Sequence, residues 1–211
     1  MPIGLKTSVP RVVRVPLVPP AVFKAILWVR GANLTYSQIA NIIRGMIKGQ
    51  DMLMLAVLMG EGASRLPYSE LGRIACLSVS EAHAAVKRLQ DSMLINSSRN
   101  LLKRNVEEFL FHGFRYAFPM RPLGKNIKGM PTSYAAPVAL GEFASAGPVP
   151  VWNGSEGNVD GRAFEPIYPS ASKAAANDRS LYDRLALMDM LRGGRIRERR
   201  FAELKLKEVL G

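Results

Sequence analysis

Ser78 and Glu81 stand three residues apart in front of Ala82, Val86 and Leu89. The serine hydroxyl can accept from the amide of residue 81 while the glutamate reaches back to the amide of residue 78, a capping box that starts a helix. Ala82, Val86 and Leu89 recur at helical spacing and predict its buried side, which leaves Ser80, His83, Ala84, Lys87 and Arg88 on the outer face. Those residue types suit contact with a nucleic-acid duplex. Lysine and arginine meet phosphates or guanine edges, serine and histidine hydrogen-bond to base edges, and the positive end of the helix favours a phosphate. Ser69 ahead of this helix, and Arg99, Lys103 and Arg104 behind it, complete the set of candidate duplex contacts.

Other reactive residue types form no pattern that performs a reaction. Cys76 is the single cysteine, so no internal disulfide framework exists, and His83 and His112 are the only histidines, too few for a zinc set. Cys76 reads as a buried structural thiol rather than a redox sensor, and His112, amid aromatics, as a core histidine. The sequence has no glycine-rich phosphate loop, no paired acids at catalytic spacing and no nucleophile elbow. The expectation is therefore a protein that is not an enzyme, with no catalytic residue, no cofactor and no metal.

The elements that must position the outer face are short helices. From 50 to 59 apolar residues fall on nearly every side, as in a first helix packed on several faces, and Gly60 ends it. A second helix is predicted over 68–76 after Pro67, with Leu71, Ile74 and Ala75 on one stripe and Glu70 and Arg73 on the other. The capped helix follows over 79–90. Leu94 and Ile95, a polar run over 96–100, then Leu101 and Leu102 predict a short hairpin in the position of a wing. Two helices joined by the tight link Cys76-Leu77-Ser78, with a hairpin behind, let the second helix enter a major groove about 12 Å wide.

Residues 106–118 read as a further helix rich in aromatics, ended by Pro119. Over 119–169 prolines and glycines crowd, so regular elements must be short and much of the segment extended. Phe143, Trp152, Phe164, Ile167 and Tyr168 predict that it wraps over a folded surface, against the alternative of disorder. Asp178 or Ser180 caps a helix with Leu181, Leu185, Met188 and Leu191 along one side, Gly193 and Gly194 break it, and a last helix runs over 196–210. Its first turns carry Arg195, Arg197, Arg199 and Arg200 among glutamates, which fits a phosphate grip and a solvated face equally well.

Composition is globular, with 48% hydrophobic and 22% charged residues, and the formal charge of +12 suggests a polyanionic partner. Seven of the 29 basic side chains and none of the 17 acids lie in residues 1–50, so the charge left for the rest is modest. This basic stretch is read in three ways: a DNA-contacting arm, a targeting-like leader, or upstream sequence from a start codon placed too early. The abrupt change of composition at Met46 favours the third. Short helices are expected within it over 21–28 and 36–47. The apolar run over 21–29 is broken by Lys24, and nothing approaches the roughly 20 apolar residues of a membrane span. The expectation is a soluble, cytoplasmic protein with no membrane partner.

Tyr68-Ser69-Glu70-Leu71, Leu77-Ser78-Val79-Ser80-Glu81-Ala82-His83 and Val86-Lys87-Arg88-Leu89 together resemble the helix-turn-helix of MarR-type winged-helix regulators. The stretches Glu108-Phe109-Leu110-Phe111-His112-Gly113-Phe114-Arg115-Tyr116-Ala117-Phe118-Pro119, Gly129-Met130-Pro131-Thr132-Ser133, Pro166-Ile167-Tyr168-Pro169-Ser170 and Leu191-Arg192-Gly193-Gly194-Arg195-Ile196-Arg197-Glu198-Arg199 resemble a little-studied MarR-like bacterial group, so that the likeness covers about 46–203. Together with the residue pattern it gives the expectation of a mainly α fold: a basic extension over 1–45, a winged helix-turn-helix over 46–118 with a small β-wing, a Pro/Gly-rich extended, wrapping segment over 119–177 and C-terminal helices over 178–211. The resemblance also implies a sequence-specific regulator binding double-stranded DNA as a homodimer on a pseudo-palindromic site. Two features depart from the family. Cys76 stands where the turn usually has glycine, a place that needs positive φ, so a distorted turn is expected. The Pro/Gly-rich middle has no counterpart, so the family's dimer geometry and ligand pocket do not transfer. Helix-turn-helix units also bind proteins, and the alternative is an interaction module such as an antitoxin or adaptor in a two-gene defence or toxin system.

Overall fold

The computed structural model describes residues 47–120, 122–143, 147–154 and 157–211. Residues 1–46 lie outside the described residues, and with them the basic extension over 1–45, the helix expected over 21–28 and all but the last residue of the one expected over 36–47. What is described is mainly helical with one small sheet.

The first helix, α1 (Gly49–Leu58), is buried from Asp51 to Leu58 on every side, as the all-round apolar pattern implies. After a 3-10 turn at Ala63–Arg65 come α2 (Tyr68–Ala75) and α3 (Val79–Asp91). Leu71 and Ala75 of α2, and Ala82, Ala85, Val86 and Leu89 of α3, are fully buried against α1 and each other. Between α2 and α3 Cys76 sits in the left-handed region, φ 52° and ψ 44°, and the Leu77 amide donates to the Gly72 carbonyl at 2.8 Å. The turn therefore closes with a cysteine held in the left-handed region that glycine occupies more readily. Gly72 supplies the room instead, because a Cβ on it would press on the Leu77 carbonyl.

The hairpin after α3 is minimal. One antiparallel bridge joins Ile95 to Leu101, and the Asn96 amide donates to the Asn100 carbonyl. The chain then enters helix three residues earlier than predicted, as α4 (Lys103–Glu108), a π turn (Phe109–Gly113) and α5 (Phe114–Ala117) in unbroken succession. The wide turn brings Phe109 and Phe114, five residues apart, to 6.1 Å between ring centroids. His112 is exposed, a correction to its reading as a core residue.

The Pro/Gly-rich middle forms a sheet that the sequence did not reveal. Strands β1 (Pro122–Pro131), β2 (Pro150–Asn153) and β3 (Val159–Phe164) each pair with the other two, β1 antiparallel to both and β2 parallel to β3. Closing so few strands on one another demands close backbone contact at Gly129 and Gly161, where a Cβ would run into the carbonyls of Trp152 and Val149. Of the rings expected to pack on a folded surface, Trp152 and Phe164 are buried, and Phe143 packs edge-on against Phe201 at 5.5 Å.

A helix not foreseen, α6 (Ala171–Asn177), precedes α7 (Arg179–Gly193) and α8 (Ile196–Leu210). Asp178 caps α7 through the Leu181 amide at 2.9 Å. Far from burying one side, α7 is covered on all of them, with α1, α5, α6 and α8 around it. It therefore carries polar groups into the core. Asp189 accepts from Thr132 Oγ1 (2.7 Å), Trp152 Nε1 (2.6 Å) and both Nε and Nη2 of Arg192 (3.1 and 2.6 Å). Arg192 also donates to the Glu165 carbonyl and lies over the Phe164 ring. Burial pushes the Asp189 carboxyl up, while Arg192, Thr132 and Trp152 pull it down. With all four donors directed at it, the group is satisfied and ties the sheet to α7.

Candidate nucleic-acid interface

Ser78 and Glu81 form the expected reciprocal cap: the Glu81 amide donates to Ser78 Oγ at 3.2 Å and the Ser78 amide to Glu81 Oε2 at 2.8 Å. The Ser78 hydroxyl, donating to the same Oε2 at 2.7 Å, and then the Ser78 amide hold the Glu81 carboxyl below the usual carboxylate range. With the helix start fixed and its other side packed on α1 and α2, α3 presents Ser80, His83 and Lys87 to solvent, joined by the partly exposed Ala84. Val79, 54% exposed at the same end, belongs to this strip although the sequence reading passed over it. Its position as the first residue after the cap was the available signal, since no preceding turn exists there for it to pack on. Ser69, at the start of α2, is exposed as well.

Arg88 does not belong to the strip. Its guanidinium binds Asp51 of α1 in a two-pronged pair, Nε to Oδ2 at 2.8 Å and Nη2 to Oδ1 at 2.6 Å, with the arginine side chain 17% exposed and the aspartate fully buried. Hydrogen bonding to Asp51 raises the Arg88 pKa further above its already high value. Asp51 Oδ2 also accepts from the Lys48 amide, so the carboxylate caps α1 and anchors α3 at once. The outward anchor predicted at Arg88 is corrected: the charge is spent on holding two helices together.

Three more basic candidates are engaged elsewhere. Arg99, in the hairpin, donates from Nη1 to the Leu66 carbonyl at 2.7 Å and lies over the Tyr68 ring, so it turns back on the protein instead of reaching outward. Lys103 and Arg104 open α4 instead of extending the hairpin, because the helix begins earlier than the aromatic pattern implied. Lys103 Nζ donates to the Gly211 carbonyl at 2.5 Å, at the end of α8. Arg104, exposed, lines a shallow groove with Glu107, Glu108, Phe111, His112 and Lys207, where the acids offset the bases. On α2, Arg73 is neutralised by Glu70 at 2.5 Å, which holds the Glu70 carboxyl low.

The strip can therefore form hydrogen bonds (Ser69, Ser80, His83), one flexible cationic contact (Lys87) and small apolar contacts (Val79, Ala84). That inventory matches base edges, a thymine methyl and a phosphate. Among the described residues, no group of three or more His, Cys, Asp or Glu is placed to hold a metal ion, and no helix is long and apolar enough to cross a membrane. No protein-family model, curated protein or solved structure matches this chain.

Proposed function

We propose that this chain is a sequence-specific double-stranded-DNA-binding transcriptional regulator of the MarR-like kind, in which α2, α3 and the one-bridge hairpin act as a winged helix-turn-helix. The observation that carries the reading is the open strip Val79-Ser80-His83-Lys87. It lies on a capped helix whose opposite side is completely buried, and the Pro/Gly-rich segment leaves it uncovered. A helix held in this way can be pushed into a major groove without rearranging the core. A cytoplasmic homodimer on a pseudo-palindromic site follows from the same reading, with two such helices one duplex turn, about 34 Å, apart.

Lys87 is the phosphate contact and Ser80 and His83 the base contacts. A selection from random duplexes with the wild-type chain supplies the site, and fluorescence anisotropy across a salt series measures the contacts. Lys87→Ala should weaken binding to every duplex and lower the log-log salt slope by about 0.9. Selection that enriches no sequence, or an unchanged slope for K87A, defeats the reading.

The rival role of protein docking draws on α8, where Ile196 and Leu204 are 63% and 64% exposed beside Arg197 and Arg200. A chain of that kind would pass through the duplex selection without enrichment.

A further inference from the structure

Arg99, Tyr68 and His83 come from three separate elements and form one continuous stack. The Arg99 guanidinium carbon is 5.1 Å from the centre of the Tyr68 ring, and the His83 ring meets that tyrosine edge-on at 4.9 Å and 61°. Cation–π attraction and the edge-to-face preference of aromatic rings both favour this order. The Leu66 carbonyl fixes the far end of the arginine. A second tie runs in parallel: Gln90 Nε2, on the last turn of α3, lies 3.3 Å from the carbonyls of both Asn96 and Ser97 in the hairpin. The hairpin backbone is itself held in an unfavourable form, since Arg99 sits at φ 64° without being glycine. Strain of that kind persists where surrounding contacts over-determine it, and here the arginine side chain supplies them.

We infer that Tyr68 and Arg99 are positioning residues that lock the hairpin and His83 of α3 into one pre-formed reading unit, and that His83, so oriented, determines sequence preference. The inference rests on the DNA-binding reading above and names the element of that site that discriminates between sequences. A histidine free to swing would satisfy several base edges equally well. One whose ring is seated on Tyr68 offers its nitrogens in a single direction, so the wrong base leaves them unpaired. Lys87, exposed one turn further along α3 and outside the stack, supplies affinity without discrimination.

Two measurements test this on the full chain. In the free protein, amide hydrogen exchange over residues 96–100 should speed up in Tyr68→Ala and in Arg99→Gly and stay at the wild-type rate in Tyr68→Phe, which keeps the ring. Glycine at 99 accepts the positive φ, so faster exchange there reports the lost side chain and not backbone strain. On DNA, the ratio of affinity for the selected duplex to that for a scrambled one should fall about tenfold in Tyr68→Ala and Arg99→Gly, with the salt slope kept, and hold in Tyr68→Phe. A merely structural role would lower both affinities together. Unchanged exchange in Y68A overturns the coupling, and faster exchange with an unchanged ratio overturns the role in discrimination. If the wild type selects no duplex, the DNA reading has failed, and the discrimination assigned to His83 falls with it. The exchange data, which need no DNA, still decide whether the stack locks the hairpin.

Discussion

Arg88 and Lys87 are neighbours in sequence and opposites in role, and a buried carboxylate decides between them. Asp51 lies in a helix covered on every side, so its carboxylate needs a partner inside the protein, and Arg88 is that partner. Replacing Arg88 with methionine should cost about 3 kcal/mol in urea denaturation, because it strands that carboxylate, and adding Asp51→Asn should restore most of the loss. A free surface arginine would change stability by no more than about 0.5 kcal/mol. The buried stripe of α3 was legible from Ala82, Val86 and Leu89, but Arg88 sits at the edge of that arc, where periodicity alone does not say in or out. The missing clue was in α1: an acid inside an otherwise apolar helix requires a cation from elsewhere. Arg99 was misread for a related reason, since a polar loop residue looks solvent-bound until a ring and a carbonyl are known to lie beneath it.

Turns and strands show the same division between local and non-local signals. The Ser78 cap and the helix it starts were readable because both partners lie within four residues. The turn before it was half readable: the need for positive φ was clear, and Cys76 meets it although it is not glycine. At this position glycine should outrank alanine, the reverse of the helix order. Cys76→Gly is expected to be more stable than Cys76→Ala by about 1 kcal/mol, as measured by thermal or chemical denaturation. The sheet was not legible at all. Strand β1 contains glycine at 124 and 129 and proline at both ends, and it shows no alternation of apolar and polar residues. Such a stretch reads as loop because its pairing is set by close backbone contact with β2 and β3, which no periodicity records. The start of α4 was missed because Lys103 and Arg104 precede the aromatic pattern that defined the helix.

Across the whole molecule, α7 is the piece on which the rest is hung. Asp189 gathers donors from Thr132 just past β1, from β2 and from its own helix, so Asp189→Ala should leave the buried Arg192 without its carboxylate partner. A loss of about 3–5 kcal/mol is expected, with the Trp152 fluorescence shifted to the red as the indole loses its dry site. Tyr182, two turns earlier on α7, donates its hydroxyl to the Pro131 carbonyl, and burial pushes its pKa from 10 up to about 12. Between those values the unfolded chain has released a proton that the folded chain still holds, so stability should fall as pH rises from 10 to 12. Tyr182→Phe should flatten that decline in a series of alkaline melts. The sequence had assigned α7 a single apolar side, because Asp189 and Arg192 look like solvent-facing residues when Thr132, Trp152 and the Glu165 carbonyl that they meet lie tens of positions away.

Because α1 has no bare side and part of its cover comes from α7, the unit formed by α1, α2 and α3 is not portable. A fragment cut at Pro119 would leave leucines and methionines of α1 naked, and would clump instead of folding. Whoever wishes to transplant α2 and α3 onto another protein, or to crystallise them in isolation, must carry the sheet and the terminal helices along.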